Sequence, residues 1–129
     1  MPFVRVTLAG PPPGAAVLAA LRAGVTTLMA EVLGKRADLT AVLVEGTAPG
    51  AWSIGAAPMG IAAHLDATVT AGSNSPAQKA AFVAAAHRLM AETLGEGLPL
   101  ATYVVVDEVP AESWGYGGLT QARRAEGRP

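Results

Sequence analysis

The chain has no cysteine. That excludes disulfides and thiolate metal sites at once. Charge is scarce as well: 15% of the 129 residues are charged, and the formal balance is −1. No basic patch argues for nucleic acid, and no basic helix argues for a membrane surface. Long apolar runs are also missing. The Ala-rich stretches are broken by Arg, Lys, Glu and His well short of a membrane-spanning length. No positively charged N-terminal region precedes an apolar run, so no signal peptide is expected. A soluble, cytoplasmic protein is the default expectation. What abounds is apolar side chain, at 51%. That is a heavy load for a small monomer, and it predicts surface buried between subunits.

The chain opens Met1-Pro2-Phe3-Val4-Arg5-Val6. Phe3, Val4, Val6 and Leu8 alternate with Arg5 and Thr7, which reads as a strand. Removal of Met1 would leave Pro2 with a free secondary amine, a proton acceptor able to work near neutral pH if burial disfavours its charged form. The plainer reading is a strand-initial proline whose missing N–H costs nothing. Pro11-Pro12-Pro13 then stops the strand, since three prolines cannot extend a ladder. From about Ala15 to Leu33 the apolar residues fall at helical intervals, and Gly34 sits where a glycine cap belongs. Leu39 to Val44 reads as a second strand, too apolar throughout for an exposed edge. Ala51 to Gly55, containing Trp52, is an aromatic turn.

The pattern then restarts. Leu65, Ala67 and Val69 alternate as a third strand. Ser75 is a good N-cap and Pro76 a good first helical residue. The helix runs to about Leu94, and Gly95 caps it. Leu100 to Val106 is a fourth strand, and Ser113 to Gly118 repeats the aromatic turn. Gln121 to Pro129 reads as a polar tail that frays or packs on a neighbour. Leu28-Met29-Ala30-Glu31-Val32-Leu33-Gly34 matches Leu89-Met90-Ala91-Glu92-Thr93-Leu94-Gly95 at an offset of 61, and Trp52 matches Trp114 at 62. This internal repeat predicts one domain of two units, 1–61 and 62–129. The fold class is α+β: two β-α-β units making a four-stranded mixed sheet with both helices on one face. The other face needs a cover, and another copy of the chain is the expected one.

A β-α-β unit of this length, opened by Met-Pro and closed by an aromatic turn, resembles the tautomerase superfamily, named for 4-oxalocrotonate tautomerase. Doubled, it resembles the fused members. Leu39 to Glu45, the Trp52 turn, Gln78-Lys79, and Trp114 to Gly118 followed by Arg123-Arg124 carry the likeness. The resemblance implies a homotrimer of fused chains. It implies that the N-terminal proline is the general base moving a proton between carbon and oxygen, with no cofactor or metal. The second unit begins Ala62-Ala63-His64-Leu65, so each chain has one amine site, Pro2. Relatives acting on dicarboxylates carry an arginine after the first strand's glycine, where this chain has Pro11-Pro12-Pro13 and, in the second unit, Ser73. A further arginine lies in the strand after the helix, where this chain has Leu43 and Val104. Both losses remove bidentate carboxylate recognition.

The expected activity is therefore keto–enol proton transfer on a small monoanionic or aromatic enol. The alternatives are Pro2-dependent hydration or dehalogenation of a small unsaturated acid, or a non-catalytic oligomer that binds small molecules. By the resemblance, Trp52 and Trp114 keep the aromatic wall, with Trp114 the expected contact because it comes from the half that would pair with the unit of Pro2. Arg5 faces either a subunit groove near Pro2 or solvent. Tyr103 and Tyr116 are candidate donors to an enolate oxygen, or interface tyrosines with satisfied hydroxyls. Asp107 and Glu108 are either water-activating carboxylates or a solvated strand end. His64 and His87 lack metal-ligand spacing and read as structural.

Overall fold

The alternating stretches become strands in a computed structural model that describes residues 2–127. β1 (Phe3–Leu8) sends Val4, Val6 and Leu8 to a dry face. It is followed by α1 (Ala15–Glu31), β2 (Ala41–Gly46) and a short hairpin of β3 (Ser53–Ile54) and β4 (Ala57–Pro58). The second unit gives β5 (Ala63–Thr70), α2 (Pro76–Leu94), β6 (Tyr103–Val109), a hairpin of β7 (Gly115–Tyr116) and β8 (Leu119–Thr120), and α3 (Gln121–Glu126).

The main sheet has the order β2-β1-β5-β6. Each β-α-β unit supplies a parallel pair, and the two units join antiparallel through β1 and β5. Both helices lie on one face and touch each other. Their buried residues recur every fourth position: Leu21, Val25 and Met29 on α1, Phe82, Ala86 and Met90 on α2. The two triplets are related by the same 61-residue offset, as are Val4, Val6 and Leu8 with Leu65, Ala67 and Val69. Each large side chain sealed here is worth about 1.5–3 kcal/mol. Among the described residues, no helix is long and apolar enough to cross a membrane.

Three expectations need correction. β2 is an edge strand in the single chain. Its apolar character has two destinations: Val42 and Val44 pack on the core, whereas Leu43 is on the open face. β2 and β6 also begin two to three residues later than the pattern indicates. Ala37–Leu39 forms a 3-10 turn, closed by Thr40 Oγ1 donating to Arg36 O at 2.7 Å. Finally, the described part of the polar tail is a helix, α3, capped by Thr120 Oγ1, which accepts from Arg123 N at 3.0 Å. Arg128 and Pro129 of that tail lie outside the described residues.

The step from offset 61 to 62 falls between the helix caps and the following strand, in the loop that holds fully exposed Leu100. That one residue matters. Leu43 therefore corresponds to Val105, not Val104. Val105 shares the open face with Leu43, while Val104 packs on the core. A one-residue shift moves a strand side chain to the other face.

Candidate active site

β1 and β2 begin, and β5 and β6 end, at the same end of the sheet, termed the Pro2 rim. Pro2 itself is buried. Its carbonyl accepts from Ala41 N at 3.2 Å, which extends the β1–β2 ladder by one bond. The next residue, Phe3, pairs with Ala41 on one side and Thr68 on the other. Pro2 is thus held at the head of a central strand. Met1 lies outside the described residues.

Trp114 comes to the same rim. The chain leaves β6, makes a 3-10 turn at Ala111–Ser113, and enters the β7–β8 hairpin. Gly117 and Gly118, at φ +60 and +85, supply the two left-handed positions of a tight hairpin turn. Trp114 O accepts from Gln121 N at 2.8 Å, fixing the tryptophan backbone to the start of α3. Its indole Nε1 is buried and has no hydrogen-bond partner among the described residues. Beside it lies an open cleft of about 330 Å³ lined by Glu112, Ser113, Trp114, Gly118 and Thr120 among others.

Tyr116 also reaches this rim, but its ring carries a cation. Arg124 Cζ sits 3.9 Å from the ring centroid, and Arg124 Nε and Nη2 donate to Tyr116 O at 3.1 and 3.0 Å. Arg124 is therefore not a solvated tail residue. Its signal in the sequence is Thr120 as a helix cap ahead of Gln-Ala-Arg-Arg-Ala-Glu.

Arg5 and Tyr103 are elsewhere. Arg5 is on the open sheet face, with Nε 3.4 Å from Glu45 Oε1, both half-exposed. Tyr103 pairs with His64 at the far rim, whereas Phe3 aligns through Thr68 with Asp107. Four strand residues separate Tyr103 from Asp107, about 13 Å. Within one chain, Tyr103 does not join Pro2. His64 Nε2 lies 3.5 Å from Asp66 on that open face. Glu108 is taken up by Lys79, whose Nζ donates at 2.8 Å; this bond holds the Glu108 carboxyl below its ordinary pKa.

Sequence pattern alone does not single out Lys35. Its Nζ donates to Ser73 Oγ at 2.9 Å, and Ser73 Oγ in turn donates to Thr70 O. Lys35 precedes β2 and Ser73 follows β5, so the bond spans the two neighbours of β1 at the Pro2 rim. Partial burial lowers the Lys35 pKa from the ordinary lysine value. Alongside, Asn74 Nδ2 donates to Leu33 O at 2.9 Å, and Gln78 Oε1 accepts from both Asn74 Nδ2 and Ser75 N. The two units are thus stapled at the rim that holds Pro2. A basic pair straight after a helix-capping glycine is the one clue the sequence offers.

A family model described as "Tautomerase enzyme" matches residues 2–60 and 64–123. Comparison with curated proteins finds no match. Among solved structures the chain is similar to a native fused 4-OT, at 26% identity, covering 98% of this chain and 99% of that one, with a TM-score of 0.82. It is equally similar, by the same four measures, to a wild-type fused 4-OT described as an asymmetric trimer. A malonate semialdehyde decarboxylase inhibited by 3-bromopropiolate shares the fold, at 18% identity over 96% of each chain and a TM-score of 0.76.

Proposed function

The chain belongs to the tautomerase family, and we propose that Pro2, once Met1 is removed, is the general base of a keto–enol tautomerase. The observation that carries this reading is the placement of Pro2: buried, and held at the head of a central strand by Ala41 N. Taking an amine out of water disfavours its protonated form, which lowers its pKa toward the range where it can accept a proton from carbon. The ring removes torsional freedom from the base, so less entropy is lost on alignment.

The other roles follow from the rim. Trp114 forms an aromatic wall, which suits a small enol with an apolar or aromatic body. Lys35, whose bond to Ser73 spans the two neighbours of β1 at the Pro2 rim, stabilises negative charge developing on the enolate oxygen. The resemblance puts carboxylate-binding arginines where this chain has Leu43, Val104, Pro11-Pro12-Pro13 and Ser73, and Val105, the counterpart of Leu43 by register, is no arginine either, so a dicarboxylate is not the favoured substrate. The working assembly is a homotrimer in which the open sheet faces cover one another. Arg5 and Tyr103 reach a Pro2 only from a neighbouring copy in such an assembly.

Two measurements test this. Intact mass establishes whether Met1 is lost, because with Met1 in place the Pro2 nitrogen is an amide and accepts no proton. Ketonisation of phenylenolpyruvate is then followed in the processed protein. Pro2→Ala is expected to abolish turnover with the fold intact, and Lys35→Ala to lower kcat/KM by about 10²-fold. Equal rates for Pro2→Ala and the parent would rule the mechanism out.

A further inference from the structure

Three arginines from distant stretches meet at the Pro2 rim. Arg36 comes from the loop after α1 in the first unit, and Arg123 and Arg124 come from α3 in the second. With Tyr116, Leu119 and Gly127 they line an open cleft of about 400 Å³. The cleft exists only because α3 folds back toward the first unit.

The arrangement is partly preorganised. Tyr116 holds Arg124 twice, through its ring and through its carbonyl. Stacking on an aromatic face fixes the plane of a guanidinium, and a fixed plane is what bidentate recognition of a planar anion requires. Arg36 donates to Asp38 at 3.1 and 2.6 Å, and Arg123 Nη1 is 3.6 Å from Glu126 Oε2. Both pairs are mostly solvent-exposed. Asp38 takes the Nε–Nη2 edge of Arg36 and Tyr116 O the same edge of Arg124, while the Nη1 groups of both arginines carry no hydrogen bond among the described residues. Three guanidinium groups against two carboxylates leave one net positive charge, which balances a monoanion and not a dianion. Leu119 and the Tyr116 ring supply an apolar wall. The volume lies in the range of small-molecule sites.

We propose that this cleft is a binding site for a small monocarboxylate, built jointly by the two units. Neither Pro2 nor Trp114 lines it. The site recognises the planar acid group through the Nη1 ends of Arg124 and Arg36, which Tyr116 and Asp38 leave free, and the organic part through Leu119 and Tyr116.

The test is titration of the full chain with benzoate by calorimetry, with benzamide as the neutral isostere and inorganic phosphate as the competing anion. Benzoate is expected to bind saturably, and benzamide about tenfold more weakly or worse, a difference of one decade in Kd. Arg36→Ala and Arg124→Ala should each weaken benzoate by at least a comparable factor. Arg124→Lys keeps the charge but not the fork, and should also weaken it. Thermal melts of each variant check the fold. Should Arg124→Ala melt early, Arg36→Ala and Arg123→Ala carry the test, since their side chains are mostly exposed. Benzoate and benzamide bound alike, benzoate affinity unchanged in Arg36→Ala, or phosphate bound more tightly than benzoate would each overturn the proposal.

Discussion

Gly115 has no room for a side chain. A Cβ there would run into the carbonyl oxygen of Leu119 and lie 2.6 Å from Thr120 Cα, both backbone atoms that cannot swing aside. Gly115→Ala is therefore expected to pry the β7–β8 hairpin apart and to displace Trp114 with it. The cost should be about 1–3 kcal/mol of stability, read from denaturant melts, with Trp114 fluorescence, isolated in a Trp52→Phe background, shifting before global unfolding. A variant as stable as the parent with unchanged fluorescence would refute this packing. At this scale the sequence is informative where a residue's role depends on its own chemistry. Pro2 and Trp114 stand out in the sequence for that reason, and they share one rim. Tyr103 is not separable from them by pattern, because its distance from Pro2 depends on antiparallel register across the repeat, which no local pattern encodes. Val104 fails for the same reason: one inserted residue moves the open-face position to Val105.

The helices are legible because their buried residues recur at fourth positions and their ends carry chemical signals. Ser75 and Gln78 form a reciprocal capping box, a feature typically worth about 1 kcal/mol. α1 has no side-chain cap and follows the three prolines instead. Strand starts are less legible, since the 3-10 turn at Ala37–Leu39 is closed by Thr40 Oγ1 on Arg36 O, a bond that no apolar pattern signals. α3 escapes the periodicity because six residues are too few to show an apolar period. α2 and β6 are also joined across their surfaces by Lys79 and Glu108, a bond that depends on the charge of the Glu108 carboxyl. The folded carboxyl of Glu108 sits below its unfolded value, so its contribution is present above the unfolded value and is lost as pH falls through the folded one. Glu108→Gln should therefore lower stability at neutral pH, where the carboxylate contributes, and converge with the parent at acid pH, which flattens the acid limb. Melting temperatures across that range check it, and an unaltered acid limb would show that the pair contributes nothing to stability.

On the scale of the molecule, the open sheet face is the unfinished surface. Phe3, Leu43 and Val105 are each about 40% exposed there, and Tyr103 is 65% exposed. Charges stand among them: Arg5, Glu45 and Asp66. An apolar strip of this kind is characteristic of an interface between copies. Val105→Asp places a charge in its middle. It should reduce a particle of three 12.9 kDa chains to one in sedimentation, and take Pro2-dependent turnover with it. A parent that sediments as a single chain would end the trimer reading. That both helices lie on one face is legible from the repeat. Which residues ring the uncovered face is not, because that requires the register. The antiparallel joining of β1 and β5 has a last, practical consequence. It brings Pro2 and α3 out on the same rim, so a handle at the C-terminus crowds the arginine cleft and Pro2 together, and one at the N-terminus leaves the Pro2 nitrogen an amide. A tether for immobilising this protein belongs on the opposite rim, in the loop around Leu100, where a linker would leave both sites facing the solution.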